Sequence, residues 1–448
     1  MFAGTRSNTN FRGFSMRTPN RRQMLAQSTA LVAGVHSMRT ELAHGASPNE
    51  KLNIACVGVG GKGWSDMHGT SAGQNIVAVC DIDESRLAKA TDAFPKATGY
   101  TDWRQLLEHK EIDAVTVSTP DHMHAPVTLA AIELGLHVYC QKPLCRSVHK
   151  VREVTTAAAR QNVVTQMGIQ HHSGAKFKTA VKLIRDGVIG NVREAHSWTD
   201  RPGSYWSQAF VRPTGSDPVP EGVHWDLWLG VSPQRPYKKG VYHPFKWRGF
   251  WDFGTGALGD MGCHGMDPIV HALKLGPPTR LQADSSQLYE DTAPAWSIVT
   301  YDFPGTELTS DGFRMVWYDG GKRPDKALFE GDTVASQLLN GILFIGEQGT
   351  LAVDYFSMPR LLPEDRFRDF KIEPVAEDNH YQQWVAACKG SGQASTPFSY
   401  SGPLTETVLL GNLAIRLAKP IDWDSDALAA RGLPEADSLI QIPYRTNW

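Results

Sequence analysis

Length, composition and charge describe a large protein with an ordinary balance of residues. The chain has 448 residues, of which 41% are hydrophobic and 21% are charged, so it is long enough to bury two full cores. The formal net charge of -2, with no cluster of Lys and Arg interleaved with aromatic residues, argues against nucleic acid as a partner. Beyond the N-terminal segment, no apolar run approaches the ~20 residues that a membrane-spanning helix needs.

The N-terminal segment resembles an export signal. Arg21 and Arg22 precede an uncharged, moderately apolar stretch that continues to Val35, and residues 43–46 offer small side chains for cleavage. The pattern is similar to a twin-arginine signal peptide, which directs proteins that fold before they are exported. We therefore expect residues 1–45 to be a signal peptide and the protein to be periplasmic. The alternative is a basic N-terminus on a cytoplasmic protein.

The run from Leu52 predicts a strand that leads directly into a dinucleotide-binding turn. Three glycines, Gly58, Gly60 and Gly63, have the fingerprint spacing, and Gly61 lies between them. In this pattern the first glycine permits a tight turn, the second lets the backbone approach a pyrophosphate, and the third lets the next helix pack close to the strand. The alternative is a glycine turn in an unrelated strand–helix unit.

A second apolar strand, residues 76–80, ends at Asp81. An acidic side chain about 20 residues past the glycines can accept hydrogen bonds from both ribose hydroxyls of an adenosine and would repel a 2′-phosphate. NAD is therefore the expected cofactor. NADP remains an alternative, because Arg86, close to Asp83, could receive a 2′-phosphate.

Strand and helix patterns alternate from residue 51 to about 168. The predicted helices are 82–93, 103–109, 119–134 and 147–161, and the predicted strands that follow Asp81 are 114–118, 137–140 and 163–167. This alternation predicts a doubly wound parallel sheet, a Rossmann domain over residues 46–168. Ligands bind at the carboxyl ends of such strands, where Thr119, Pro120, His124 and Lys142 fall.

The pattern changes after Gly168. The predicted elements are a helix 176–186, a strand 192–198, a Trp-, Pro- and Gly-rich loop to about residue 253, a helix-like segment 259–275, strands 280–287, 296–303, 307–312, 342–347 and 350–353, and helices 380–389 and 405–417. They predict an α+β domain over residues 169–448, built on a large, mostly antiparallel open sheet and serving substrate binding and oligomerisation. The fold class is thus α/β plus α+β.

Four landmarks in chain order resemble one enzyme family. They are the fingerprint 58–63, the turn Thr119-Pro120 with His124, the pair Lys142-Pro143, and Asp-Met-Gly-Cys-His at 260–264. After residue 50 the chain is similar to the glucose-fructose oxidoreductase / inositol dehydrogenase / MocA family. The export signal and the run Trp-Asp-Leu-Trp-Leu-Gly at 225–230 are similar to its exported bacterial branch. The resemblance implies a Rossmann domain followed by a large-sheet domain, NAD(P)-dependent oxidation of a sugar or cyclitol hydroxyl, and a homo-oligomer, either a dimer or a tetramer.

The resemblance also implies catalytic roles for Lys142, Asp260 and His264, with one departure from the family pattern. Many members carry Glu-Lys-Pro where this chain has Gln141-Lys142-Pro143. The loss of that carboxylate leaves open how Lys142 is held and charged.

The same residue types fit the chemistry. Oxidation of a secondary alcohol removes a hydride from carbon and a proton from oxygen, so a general base must touch the hydroxyl. Asp260 and His264 are four residues apart, which places them on one helix face, where the carboxylate can orient and charge the imidazole. Lys142 can stabilise the developing alkoxide. The alternatives are an ordinary helix histidine, or a metal site shared with Asp267 and His271, although Pro268 predicts a break in that helix.

Other polar residues are weaker candidates for substrate contacts. His171 and His172 follow the last Rossmann strand, and because neighbouring residues point apart we expect at most one of them to reach a sugar. Arg201, Trp225 and Arg248 lie in the loop-rich insertion, where they either frame a polyol or serve the structure.

These patterns predict a sugar or cyclitol dehydrogenase with no metal and no structural disulfide, since the six Cys form neither a CxxC pair nor a zinc pattern. The alternative is an enzyme that cleaves glycosides by transient oxidation, elimination and re-reduction on tightly bound NAD. A cofactor-binding scaffold without activity is the third reading. Export into a compartment with little free NAD predicts tight retention of the cofactor in either enzyme.

Overall fold

The computed structural model describes residues 51–446 and residue 448. The signal peptide predicted for residues 1–45 lies outside them. No helix in the described part of the chain is both long and apolar enough to cross a bilayer. All six cysteines fall in that part, where each is buried and unpaired.

The first half of the described chain folds as a parallel sheet flanked by helices. Its strands are β1 (Asn53–Val57), β2 (Asn75–Cys80), β3 (Thr98–Tyr100), β4 (Ala114–Val117), β5 (His137–Cys140) and β6 (Thr165–Met167). Its helices are α1 (Lys62–Ser71), α2 (Glu84–Ala93), α3 (Trp103–Leu107), α4 (Asp121–Glu133) and α5 (Val148–Gln161). The strand order is β3-β2-β1-β4-β5-β6, and every pairing among them is parallel. The predicted doubly wound Rossmann sheet is confirmed, with β3 as a strand that the sequence pattern missed.

The second half is built on a larger sheet. Its strands are β7 (Val192–Trp198), β8 (Arg280–Ser285), β9 (Ser297–Phe303), β10 (Thr309–Tyr318), β11 (Gly341–Gly346), β12 (Thr350–Val353), β13 (Arg360–Leu362), β14 (Ile421–Asp424) and β15 (Ala429–Ala430). They follow the order β13-β12-β11-β7-β10-β9-β8-β14-β15. The pair β7 and β10 is parallel, and the other pairs described are antiparallel, which confirms the predicted mostly antiparallel open sheet.

The helices of this half pack on the larger sheet and also return to the first one. They are α6 (Ala175–Arg185), α7 (Trp225–Leu229), α8 (Gly256–Gly265), α9 (Asp267–Leu273), α10 (His380–Cys388), α11 (Phe398–Leu417) and α12 (Asp437–Ile440). Trp384 and Val385 of α10 are buried in one cluster with Ile54 and Cys56 of β1. The C-terminal helices thus complete the core of the Rossmann domain.

Three predicted bounds were wrong for identifiable reasons. The helix-like segment predicted for 259–275 begins earlier, at Gly256, and ends at Leu273; the break predicted from Pro268 is confirmed, because the segment divides into α8 and α9 at Met266. Strand β10 does not end at Gly312, because this glycine, at φ +74°, lies where the register with β7 shifts and the strand then continues. Helix α11 begins at Phe398 and includes Pro403 in its second turn, which hid its start from the sequence pattern.

Candidate active site

A cavity of about 480 Å³ opens at the carboxyl ends of the Rossmann strands. Its walls include residues from both halves of the chain. The predicted cofactor and catalytic residues that line it are Gly58, Gly60, Gly61, Asp81, Thr119, Pro120, His124, Lys142, Asp260 and His264. The fold therefore joins the predicted cofactor turn and the predicted reaction centre in one cleft.

The glycine turn is fixed by close packing. Gly58 has φ +80°, and a Cβ there would lie 2.7 Å from the carbonyl oxygen of Ser118 at the end of β4. A Cβ on Gly63 would lie 1.8 Å from the carbonyl oxygen of Gly58, so only glycine lets α1 begin so close to the strand. The Cβ position of Gly61, at the N-terminus of α1, faces open space. This cradle fits a pyrophosphate at the start of a helix.

Asp81 both braces this turn and lines the cavity. Its carboxylate accepts hydrogen bonds from the backbone N–H groups of Val59 (3.0 Å), Gly60 (3.2 Å) and Asp83 (3.1 Å). Burial raises the pKa of this carboxyl. The side chain of Arg86 lies over Gly60, with its Nη1 2.5 Å from where a Cβ would be. A ribose placed here would therefore lie close both to Asp81, which favours NAD, and to Arg86, which could bind the 2′-phosphate of NADP.

The turn at Thr119 is tied to the turn after Lys142 by His124. The imidazole of His124 contacts the carbonyl oxygens of Thr119 (2.9 Å) and Pro143 (2.7 Å). Because both ring nitrogens contact carbonyl oxygens, His124 holds the backbone of the two turns in place and has no ring nitrogen left to bind a ligand. Thr119 lines the cavity, and its Oγ1 is buried without a hydrogen-bond partner among the described residues.

Lys142, Asp260 and Arg248 form an ionic cluster at the other end of the cavity. The ammonium of Lys142 donates to the carbonyl oxygen of Asp260 and to its Oδ1, the latter at 3.0 Å. Nε of Arg248 donates to the same Oδ1 at 3.1 Å. Although burial opposes ionisation of Asp260, the two cations hold the pKa of its carboxyl below the usual range. Asp260 is thus a fixed anion that orients Lys142.

The expected pairing of Asp260 with His264 was wrong. The Asp260 carboxylate is occupied by Lys142 and Arg248, and its recorded hydrogen bonds do not include His264. Burial and the nearby Lys142 ammonium hold the pKa of His264 well below its ordinary value of 6.5. Its Nδ1 is buried without a partner among the described residues. The imidazole is therefore neutral, and its ring lines the cavity while Nδ1 points into the protein.

Asp267 is separate from this cluster. It lies in α9, beyond the break at Met266, where its carboxylate contacts Nδ1 of His172 (2.9 Å) and accepts a hydrogen bond from the Tyr400 hydroxyl (2.5 Å). The His271 ring packs against His172 with centroids 4.7 Å apart. No group of three or more His, Cys, Asp or Glu residues in the described part of the chain is arranged to hold a metal ion.

The candidate substrate residues divide into those near the cavity and those away from it. His171 packs against His264, with ring centroids 5.4 Å apart, whereas His172 points to Asp267. Arg248 lines the cavity. Arg201 instead pairs with its neighbour Asp200 and stacks on Tyr205, and Trp225 stacks on Trp228 and donates Nε1–H to the carbonyl oxygen of Arg235. Neither Arg201 nor Trp225 lines the cavity.

A buried carboxylate that the sequence analysis missed lies behind Lys142. Asp66 of α1 is fully buried and accepts hydrogen bonds from Gln141 Nε2 (2.8 Å), Ser118 Oγ (2.7 Å), the Tyr381 hydroxyl (2.9 Å) and Lys62 Nζ (2.6 Å). Gln141, which stands where many family members have Glu, could have indicated this carboxylate. A buried glutamine side chain donates through its NH₂ group and therefore needs a hydrogen-bond acceptor nearby.

The sequence analysis also missed a cover over the cavity. Residues 222–224 pair with residues 82–84, just after Asp81. Gly222 accepts a hydrogen bond from the N–H of Glu84, and His224 donates its N–H to the carbonyl oxygen of Ile82, both at 2.9 Å. The following residues Trp228 and His243 line the cavity opposite the glycine turn. We call residues 222–247 the cover segment.

Comparisons with known proteins agree with this geometry. Residues 52–169 match a family model described as "Oxidoreductase family, NAD-binding Rossmann fold", and residues 173–343 match "Oxidoreductase family, C-terminal alpha/beta domain". The predicted NAD-binding domain is thereby confirmed.

Three curated relatives illustrate the range of named activities. Inositol 2-dehydrogenase 4 of Saccharopolyspora erythraea is 31% identical over 36% of this chain and 50% of its own length. Levoglucosan dehydrogenase of Pseudarthrobacter phenanthrenivorans is 27% identical over 30% of this chain and 36% of its own length. A glycosyl hydrolase family 109 protein of Shewanella baltica is 28% identical over 32% of this chain and 33% of its own length. The chain thus matches about a third to a half of the length of these relatives.

Solved structures share the fold over most of the described chain. WlbA dehydrogenase from Bordetella pertussis, in complex with NADH and UDP-GlcNAcA, superposes with a TM-score of 0.61 at 16% identity, over 84% of this chain and 98% of that one. A levoglucosan dehydrogenase in complex with NADH and levoglucosan gives 0.58 at 15% identity, over 83% and 99%. At such identities the likeness shows the fold.

Proposed function

The chain belongs to the Gfo/Idh/MocA oxidoreductase family, and on that premise we propose that it oxidises a secondary hydroxyl of a sugar, sugar derivative or cyclitol. The observation that carries this proposal is the neutral imidazole of His264 together with the Asp260-bound ammonium of Lys142, both lining the same cavity as the glycine turn. A proton acceptor and a cation next to a dinucleotide site are what alcohol oxidation requires.

Bound NAD supplies the hydride acceptor, held by the turn 58–63 and by Asp81. The neutral imidazole of His264, which lines the cavity, accepts the hydroxyl proton. Lys142 donates a hydrogen bond to the same oxygen and stabilises its developing negative charge, while Asp260 keeps the ammonium in place. Trp228 and His243 of the cover segment form part of the cavity wall.

A panel of monosaccharides and cyclitols, incubated with the protein and with either NAD or NADP, tests the proposal. We expect a ketone product, identified by mass spectrometry, and a preference for NAD that is reversed or lost in Asp81→Ala. Absence of a ketone from every sugar, with cofactor bound, would contradict it.

Redox-neutral glycoside cleavage is the second candidate, and the cover segment favours it. Oxidation of a ring hydroxyl to a ketone acidifies the neighbouring carbon, so that loss of its proton expels the glycosidic substituent. Addition of water and return of the hydride then restore the hydroxyl with no net oxidation. Such a cycle needs a cofactor that stays bound, and the backbone bridge between the cover segment and residues 82–84 lies beside Asp81, where it would hold the cofactor in place.

The nucleotide carried by the purified protein distinguishes the two candidates. We propose that near-stoichiometric NAD(H) is released on denaturation, and that glycosides are cleaved without added cofactor. Protein that is empty as isolated, and that turns over added NAD continuously with a sugar, would return the enzyme to the ordinary dehydrogenases.

We also propose export by the twin-arginine route and assembly into a homo-oligomer. Replacing Arg21 and Arg22 together by lysine should leave the protein in the cytoplasmic fraction, and sedimentation of the mature protein should give a dimer or a tetramer. A periplasmic double variant, or a monomer, would contradict the respective proposal.

A further inference from the structure

The cavity extends from the reaction centre to an aromatic ring at its mouth. Arg248 connects the two places. Its Nε donates to Asp260 Oδ1 at 3.1 Å, and its guanidinium carbon lies 4.1 Å from the ring centroid of Phe245 and 4.4 Å from that of Trp247. Phe245, Trp247 and Arg248 all line the cavity. Arg248 therefore contacts both the Asp260 carboxylate that orients Lys142 and the Phe245 ring at the mouth of the cavity.

Phe245 is exposed but firmly held. The ring-bearing residue is 43% exposed, whereas its aromatic neighbours Trp247 and Phe250 are buried. Arg248 Nη1 donates to the Phe245 carbonyl oxygen at 3.1 Å, and the Trp206 ring packs edge-on with centroids 6.4 Å apart. The exposed part of an apolar side chain contributes no hydrophobic stabilisation to the fold. The Phe245 ring is nevertheless held by Arg248 and Trp206, and it lines the cavity. It is thus suited to contact a ligand.

We propose that Phe245 and Arg248 form an outer subsite for a second sugar ring of a glycoside whose first ring is oxidised beside Lys142 and His264. Resting on the proposed function, this assigns the substrate class as disaccharides or larger glycosides. A pyranose ring presents an apolar C–H face that packs on an aromatic ring. Its hydroxyl oxygens can accept from the guanidinium N–H groups that Asp260 and the Phe245 carbonyl leave free.

The position of Arg248 gives the subsite a consequence for the chemistry. A second ring bound on Phe245 would lie next to the cation that shares Asp260 Oδ1 with Lys142. The glycosidic bond would then lie between the oxidised ring and the mouth, within the cleft. This is where elimination of the substituent would have to occur in the redox-neutral cycle.

Steady-state kinetics on matched substrates test the subsite. Wild type, Phe245→Ala, Phe245→Tyr and the control Phe370→Ala, which removes a ring of similar exposure (44%) elsewhere, would be assayed with glucose, galactose and their disaccharides cellobiose and lactose. We expect Phe245→Ala to lower kcat/KM for the disaccharides about 10-fold more than for the monosaccharides. Phe245→Tyr and Phe370→Ala should behave as wild type.

Three outcomes would overturn the subsite while leaving the proposed function intact, two of them kinetic and one from sedimentation. One is equal loss on both substrate classes or on neither, and the other is a wild-type enzyme that turns over the monosaccharides alone. A change in sedimentation of Phe245→Ala would also overturn it, by assigning the ring to an interface between copies. Oxidation of none of the sugars by wild type would instead be a failure of the proposed function.

Discussion

Gln141 precedes Lys142, and its amide is explained by one buried carboxylate. Gln141 Nε2 is 2.8 Å from Asp66 Oδ2, and Asp66 is fully buried with Lys62 as the cation bonded to it. A glutamate at position 141 would place a second carboxylate within hydrogen-bond distance of the first, which is unfavourable unless one of them takes up a proton. In this chain the buried carboxylate that contacts the residue before Lys142 is Asp66 of α1.

This arrangement predicts a charge swap. Gln141→Glu should lower turnover about 10-fold at pH 8, because two carboxylates cannot both ionise at that distance. The double variant Asp66→Asn with Gln141→Glu restores one amide and one carboxylate, and should recover to within a few-fold of wild type. Initial-rate assays on all variants measure this. A double variant no better than Gln141→Glu alone would remove the pair from the positioning of Lys142.

Lys142 should be essential for turnover and dispensable for the cofactor. Its ammonium contacts Asp260 and faces the substrate end of the cavity, so Lys142→Ala should lower kcat by roughly 10²-fold or more. Bound nucleotide, assayed after denaturation, should remain close to the wild-type amount. Wild-type rates in this variant would exclude Lys142 from the mechanism.

The pH profile should reflect the buried state of His264. A base acts in its neutral form, and burial with Lys142 nearby keeps the pKa of His264 well below 6.5, so the imidazole stays neutral as the pH falls through that value. We expect kcat/KM to stay level through pH 6.5 and to fall at lower pH. His264→Ala should lower the rate about 10²-fold across the range. An inflection at pH 6.5 that His264→Ala abolishes would show an imidazole of ordinary pKa.

At the scale of elements, the cover segment joins the larger domain to the cofactor site. Residues 222–224 pair with residues 82–84 as an antiparallel bridge directly beside Asp81. Backbone hydrogen bonds link the cover segment to the Rossmann domain, and because they involve no side chain the sequence does not indicate them. Retention of the cofactor would therefore depend on a few hydrogen bonds that can be removed one at a time.

His224→Pro tests the cover with a matched control. The proline removes the N–H that donates to Ile82 at 2.9 Å, while the φ of -84° at this position suits proline. His224→Ala keeps that N–H and removes only the imidazole contact with Glu84. The loss of one backbone hydrogen bond should speed nucleotide release about 5-fold in His224→Pro alone, measured by stopped-flow fluorescence. Equal rates in the two variants would show that the bridge does not retain the cofactor.

For the molecule as a whole, the return of α10 to the Rossmann sheet makes the two halves interdependent. Trp384 is fully buried against Tyr139, with ring centroids 5.6 Å apart, and shares a cluster with β1. Residues from the far end of the chain therefore support the strands that carry the glycine turn and Lys142.

Trp384→Ala should destabilise the protein and weaken its cofactor site together. Loss of a buried indole should lower the free energy of unfolding by about 3–5 kcal/mol, measured by urea denaturation. Affinity for NAD should fall with it, because β1 loses its packing. The exposed control Phe356→Ala should change stability by less than about 0.5 kcal/mol. Weakened stability with unchanged affinity would mean that the cofactor turn does not depend on α10.

Local patterns in the sequence determined the Rossmann domain, most strand and helix positions, and the residues around the cleft. Glycine spacing, strand-terminal polar residues and the Asp260–His264 run depend on neighbours within one or two turns of the chain, so they can be read directly. The break before Pro268 belongs to the same class. The start of α11 at Phe398, hidden by Pro403, marks the limit of local patterns.

Only the tertiary structure decided which of these groups act on one another. Asp260 and His264 share a helix face, yet Lys142, from a strand end 118 residues away, and Arg248, from the loop before the helix, bind the carboxylate. The imidazole is left neutral, with no partner for Nδ1 among the described residues. Asp66 beneath Gln141 and the cover segment likewise arise between elements far apart in sequence. Spacing along a chain can place a side chain on a face. The partner that fixes its charge is set by whatever packs against that face.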